Sequence, residues 1–199
     1  MPESSKQSFT EFAEQANHCE NINSALQYFT QSHQLNSTLL LFSLWFAQQK
    51  FGKLQQAQTK SMQQNIDTWH TEITLSLDAL LNITAHCKAK KMRRIETGIR
   101  DCITNATRSE QKMLLDASPS NIARNNKRPL QQLNDACHNI KNYLKLCRVS
   151  FSTADQSQLV NFVASTFSEL TKPIVLKTIS SIFHTDTPYP QQLSLISPT

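Results

Sequence analysis

The sequence predicts an all-α protein, a bundle of about six to eight helices packed around one buried helix, without a sheet. Three observations carry this. Residues 36–50 contain a run, Leu39 to Ala47, that is apolar at every position but Ser43. A helix apolar nearly all round has to be wrapped by other elements. Much of the remaining chain repeats apolar residues at spacings of three and four, the period of a one-sided helix. The chain has only two glycines in 199 residues, fewer than a set of tight hairpin turns would use.

Taken in order, residues 1–7 carry no pattern and are expected to be disordered, as are residues 185–199, which contain three prolines. Ser8 followed by Glu11 is a capping box, and Phe9, Phe12, Ala13 and Ala16 share one face of a short first helix. Ile22, Leu26 and Phe29 mark a second helix over residues 21–34. Asn36, Ser37 or Thr38 can cap the central helix, and Gly52 lies just past its end, where a left-handed residue is needed. Residues 53–64 are polar and helix-permissive. From Asn65 the positions Ile66, Trp69, Ile73, Leu77, Leu80 and Thr84 define an amphipathic helix reaching about Cys87. Met92, Ile95, Ile99, Cys102, Ala106 and Met113 define the next, with Gly98 and Thr104-Asn105 as weak points. Residues 118–129 read as a linker. Leu130, Leu133, Cys137, Ile140, Tyr143 or Leu144, and Cys147 form a further stripe. Ser152 to Asp155 form a turn and cap, and Leu159, Val163, Phe167 and Leu170 follow. Pro173 is expected to break or kink that helix. A single domain over residues 8–170 is expected, with a helical extension over 171–184.

The charge is localised. The net charge is +5, and residues 88–112 hold eight basic residues against three acidic, whereas the rest of the chain holds twelve of each. Lys88, Lys90, Lys91, Arg93, Arg94 and Arg100 are therefore the candidate contacts for nucleic acid or another anionic partner. Two facts point instead to a solvated helix end: cations favour a helix C-terminus, and no aromatic residue for base stacking occurs between His70 and Asn142.

Histidine and cysteine stand side by side three times, at His18-Cys19, His86-Cys87 and Cys137-His138. Neighbours on a helix point about 100° apart and do not chelate as an i, i+4 pair does. The expected roles are core and core edge, and no metal or cofactor is expected. Trp45 and Trp69 read as core anchors. The acids are dispersed, and there is no P-loop, G-x-S-x-G or G-x-G-x-x-G, so no catalytic residue is assigned. Five cysteines without C-x-x-C, no apolar leader and no stretch of ~20 apolar residues point to a cytoplasmic protein without a membrane span.

The run Leu39-Leu-Leu-Phe42-x-Leu44-Trp45, the second tryptophan Trp69, the Lys/Arg-rich segment, Glu110-Gln111 and Asn139-x-x-x-Tyr143-Leu144 resemble a proteobacterial family, domain of unknown function 2390. Its members open on a short aromatic helix, as Phe9 and Phe12 do here. They carry Arg after the second tryptophan, where this chain has His70. The resemblance implies a helical, cytoplasmic, bacterial protein and carries over no activity. The functional expectation is a non-enzymatic module that binds a protein partner. Nucleic-acid binding through residues 88–112 is the alternative, and an enzyme with a pocket inside the bundle is a second one.

Overall fold

A computed structural model describes residues 8–86, 92–119 and 124–183. Residues 1–7 and 184–199, and with them the expected terminal disorder, lie outside the described set, as do Lys88, Lys90 and Lys91. The described residues form nine α-helices and no strand: α1 Phe9–Asn17, α2 Glu20–His33, α3 Ser37–Gln48, α4 Gln56–Trp69, α5 Leu75–Ala85, α6 Met92–Ala117, α7 Pro129–Leu146, α8 Thr153–Thr166 and α9 Lys172–Ile182. A π turn, His70–Thr74, joins α4 to α5 without a break, so the helices make eight rods.

The central helix is buried as its composition demands. Every residue of α3 from Thr38 to Ala47 is inside, with Leu39, Phe42 and Leu44 fully so. It packs most extensively against α7, and α1, α2 and α6 complete the jacket. Phe9 of α1 meets Phe42 edge-on at 5.1 Å and Trp45 at 5.3 Å. Ser43, the one polar residue in the run, donates its hydroxyl to Leu39 O at 2.8 Å and so needs no partner from solvent.

Side-chain caps set the helix starts. Ser8 and Glu11 form the expected capping box, and Asn36 Oδ1 accepts from Leu39 N at 3.0 Å. Ser152 and Asp155 form another box at α8. The end of α3 departs from expectation. Lys50, at φ 67°, is the left-handed residue that closes the helix, and Phe51 N returns to Phe46 O. Gly52, at φ 100°, lies in the loop beyond. Asn139 on α7 pins that loop: its Oδ1 accepts from Leu54 N at 2.7 Å and its Nδ2 donates to Ser43 O and Gly52 O.

Helix α9 is part of the same core rather than an extension to it. Val175, Ile179, Ile182 and Phe183 join the central cluster, and Phe183 stacks on Phe151 at 4.5 Å. Pro173 sits in the first turn of α9, where its missing N–H costs nothing. Helix α6 runs unbroken through Gly98 and Thr104-Asn105. The last correction concerns the stripe from Ile66 to Thr84. Ile66 and Thr84 are buried, but Ile73 and Leu80 are exposed. The π turn adds a residue to one turn and rotates everything after it, so the two halves of the stripe face different directions.

Candidate interaction surface

Helices α5 and α6 form an antiparallel hairpin whose root is built into the body. Glu110 on α6 is 1% exposed. Its Oε1 accepts from Thr74 Oγ1 at 2.6 Å and lies 2.8 Å from His70 Nδ1, both in the π turn. Its Oε2 accepts from Asn36 Nδ2 at 3.3 Å. An ionised carboxylate only accepts, so His70 Nδ1 carries a proton in this arrangement. Burial alone would push the Glu110 carboxyl up. The donors from His70, Thr74 and Thr38 outweigh it and hold the group below the usual carboxylate range. Asn36 is the junction: its side chain caps α3 and binds Glu110, and its N–H donates to the Tyr143 hydroxyl at 2.8 Å. Beside it, Trp69 Nε1 donates to Ala106 O at 3.1 Å.

One carboxylate thus ties α3, the π turn and α6 together, and sequence reasoning assigned it no role. The signal was there. Glu110 falls on the apolar stripe of α6, four residues after Ala106 and three before Met113, where a charge needs partners.

Beyond this root the hairpin leaves the body. Helix α5 packs against α6 and the π turn. Seven of its eleven residues are apolar, yet only Thr84 is buried. Leu80 is 45% exposed, Ile83 65% and, across on α6, Ile95 49%. Counting outward from the pairs His70–Glu110 and Trp69–Ala106 brings Leu80 to about the level of Gly98. The phases of two antiparallel right-handed helices then place Leu80 on the same side of the hairpin as Ile95, Gly98 and Cys102 of α6. Arg93 and Arg100 fall on the opposite side, and Arg108, on the back of α6, reaches Glu14 of α1 at 3.1 Å. The hairpin therefore has an apolar side and a side bearing Arg93 and Arg100.

Of the candidate anion-binding residues, Arg93, Arg94 and Arg100 are exposed on α6, where Glu96 and Asp101 stand among them. Lys88, Lys90 and Lys91 lie outside the described residues, and so does Cys87. His86 is exposed with Nδ1 on Asn82 O, and Cys137 is fully buried, its thiol pushed up to about 12 by desolvation. Among the described residues no three His, Cys, Asp or Glu side chains come together as metal ligands. A 630 Å³ cavity opens along α1 and α2, and a 320 Å³ one beside Lys50 and Arg124. Polar side chains predominate in both, and neither is lined by His70 or Glu110. No helix among the described residues is long and apolar enough to cross a membrane.

Compared with family models, with curated proteins and with solved structures, the chain matches none. The family resemblance rests on the Leu39–Trp45 run and the residues quoted with it, and that run has a sufficient physical reason in the burial of α3.

Proposed function

We propose that the protein is a helical interaction module that works through the α5–α6 hairpin, whose apolar side completes a bundle with helices supplied from outside the chain. One observation carries the reading: α5 is nearly as apolar as the core helix α3, but Leu75, Leu80 and Ile83 stand exposed and only Leu77 and Leu81 are partly covered. Exposed apolar area costs about 25 cal/mol per Å², and contiguous patches of it mark contact surfaces. The body holds the hairpin rigidly enough to present that side. The π turn, Glu110 and Trp69 fix its root, and a fixed surface loses less entropy on docking.

The absence of aromatic side chains on the hairpin argues for helices rather than nucleic acid as the occupant. Single strands are held by stacking on aromatic rings. The reading is tested with a photo-crosslinking amino acid installed at Leu80, and separately at Arg100, in the full chain expressed in cells. Adducts at position 80 that do not form at position 100 are expected. A Leu80 probe that captures no polypeptide would sink the reading.

A further inference from the structure

Resting on that reading, we infer that the occupant is a second copy of this chain, packed two-fold across the Ile95–Gly98–Cys102 edge of α6 and Leu80 of α5. The two hairpins together make a four-helix bundle.

The first argument is Gly98. It sits inside a helix, its backbone has no positive φ, and no side chain or neighbouring backbone lies within 4 Å of where a Cβ would stand. No turn and no close contact among the described residues requires a glycine there, although glycine weakens a helix interior. Flanked by Ile95 three residues before and Cys102 four residues after, it leaves a notch on the apolar edge. A notch of this kind lets another helix come nearer than the usual 8–10 Å between axes. The patch carries its own complement. Leu80 stands near the level of Gly98, so across a two-fold axis the Leu80 of each copy can fill the notch of the other. That self-complementarity is what a two-fold interface requires.

The second argument is charge. Residues 70–86 contain Glu72 and Asp78 and no Lys or Arg, whereas residues 92–102 contain Arg93, Arg94 and Arg100 against Glu96 and Asp101. Arg93 and Arg100 lie on the side of α6 away from the contact, so two copies meeting at the apolar side do not bring these cations together.

The third is space and area. Helix α1 is joined to the back of α6 through Glu14 and Arg108, and Leu80 and Ile95 on the apolar side stay exposed among the described residues. The exposed parts of Leu80 and Ile95, with Cys102 and the Gly98 backbone, supply part of the ~800 Å² per partner that a standard interface buries.

The test is sedimentation equilibrium of the full-length protein from about 1 to 100 µM, a range that brackets micromolar dissociation constants. The wild type should move from 22.6 kDa toward twice that mass. Gly98→Leu fills the notch in space that is empty within the chain, and Ile95→Asp charges the edge. Each should raise the concentration of half-dimerisation at least tenfold while the far-UV circular dichroism stays that of the wild type. Thr97→Ala, on the far side of α6, should leave the dimer unchanged. A wild type that stays at 22.6 kDa throughout overturns the second copy; Leu80 adducts to a different protein would then still support the interaction reading. A dimer that neither Gly98→Leu nor Ile95→Asp weakens overturns the location.

Discussion

Helices α3 and α5 are close in composition and opposite in fate. Each is mostly leucine, isoleucine, phenylalanine or alanine, with a few small polar residues between. Helix α3 has α1, α2, α6 and α7 around it and no water, while α5 has α6 along one side and solvent along the rest. The difference is supplied by the neighbours. A helix apolar all round states a requirement for cover, and the described residues meet it at α3 and leave it unmet at α5. The polar residues divide the same way. Ser43 is tied off inside α3, and Asn36 and Asn139 serve loops and helix ends around it. Ser76, Asp78 and Asn82 of α5 are exposed. The body excludes water, whereas among the described residues the outer side of the hairpin stays exposed.

The sharpest way to break this contrast is to truncate one leucine in each helix. Leu44 is fully buried in α3, and Leu44→Ala should cost about 3–5 kcal/mol in urea unfolding, since the cavity adds to the lost transfer energy. Leu80→Ala, measured on dilute protein, should cost less than about 1 kcal/mol, because nearly half of the side chain is already wet. Equal costs would mean that α5 is covered by its own chain in solution.

Next in size is the root that joins the two regions. Glu110→Ala removes the acceptor of Thr74, His70 and Asn36 and leaves them buried or half-buried without it. A loss of about 3 kcal/mol is expected, with faster hydrogen exchange in α5 and the first half of α6 than in α3. Exchange that rose equally in α3 and α5 would show that Glu110 holds the whole fold rather than the hairpin's root.

The same carboxylate predicts a pH dependence. Glu110 and Asp155 are both held below their ordinary values of 4.5 and 3.8, each because hydrogen-bond donors outweigh burial. For Asp155 the donors are Ser152, His33 and Tyr28. A carboxyl depressed in the folded state stabilises it fully above the unfolded value and loses that contribution as pH falls through the folded one. Stability should therefore hold down to about pH 5 and decline below about 4.5, and Glu110→Gln should flatten part of the decline. A wild-type profile that Glu110→Gln leaves unchanged in slope would remove Glu110 as a source of it.

What could be read in the sequence follows from how far each signal reaches. The cap at Ser8, the burial of Leu39 to Ala47 and the faces of α1, α2 and α7 rest on short-range chemistry or simple period, and they appear where the residues put them. Even so, Leu130 begins the α7 stripe and is exposed, since the first turn of that helix stands clear of the core. The stripe from Ile66 to Thr84 misled because one π turn changes the phase of everything beyond it, and no residue in His70–Thr74 announces such a turn. The Glu110 junction is legible only as an anomaly, a charge on an apolar stripe. Its partners come from residues 36, 70 and 74, and only the folded chain brings them together. The exposed side of α5 was invisible for the opposite reason: its pattern promised a neighbour that the described residues do not supply.

The smallest expected effect isolates the hairpin from the body. Gly98→Ala adds one methyl group where nothing lies within 4 Å, so it creates no clash within the chain. Alanine is better than glycine inside a helix by about 1 kcal/mol, and the unfolded chain loses freedom as well. At about 1 µM, where a complex with a Kd in the higher micromolar range is mostly dissociated, the variant should be more stable than the wild type by about 0.5–1 kcal/mol. At about 100 µM the added methyl partly fills the notch, and the gain should shrink or reverse. A gain that is the same at both concentrations would say that Gly98 meets no other helix. No gain at either would say that the first half of α6 is frayed in solution, and the contrast between a packed body and a rigid, presented hairpin would fail at its outer end.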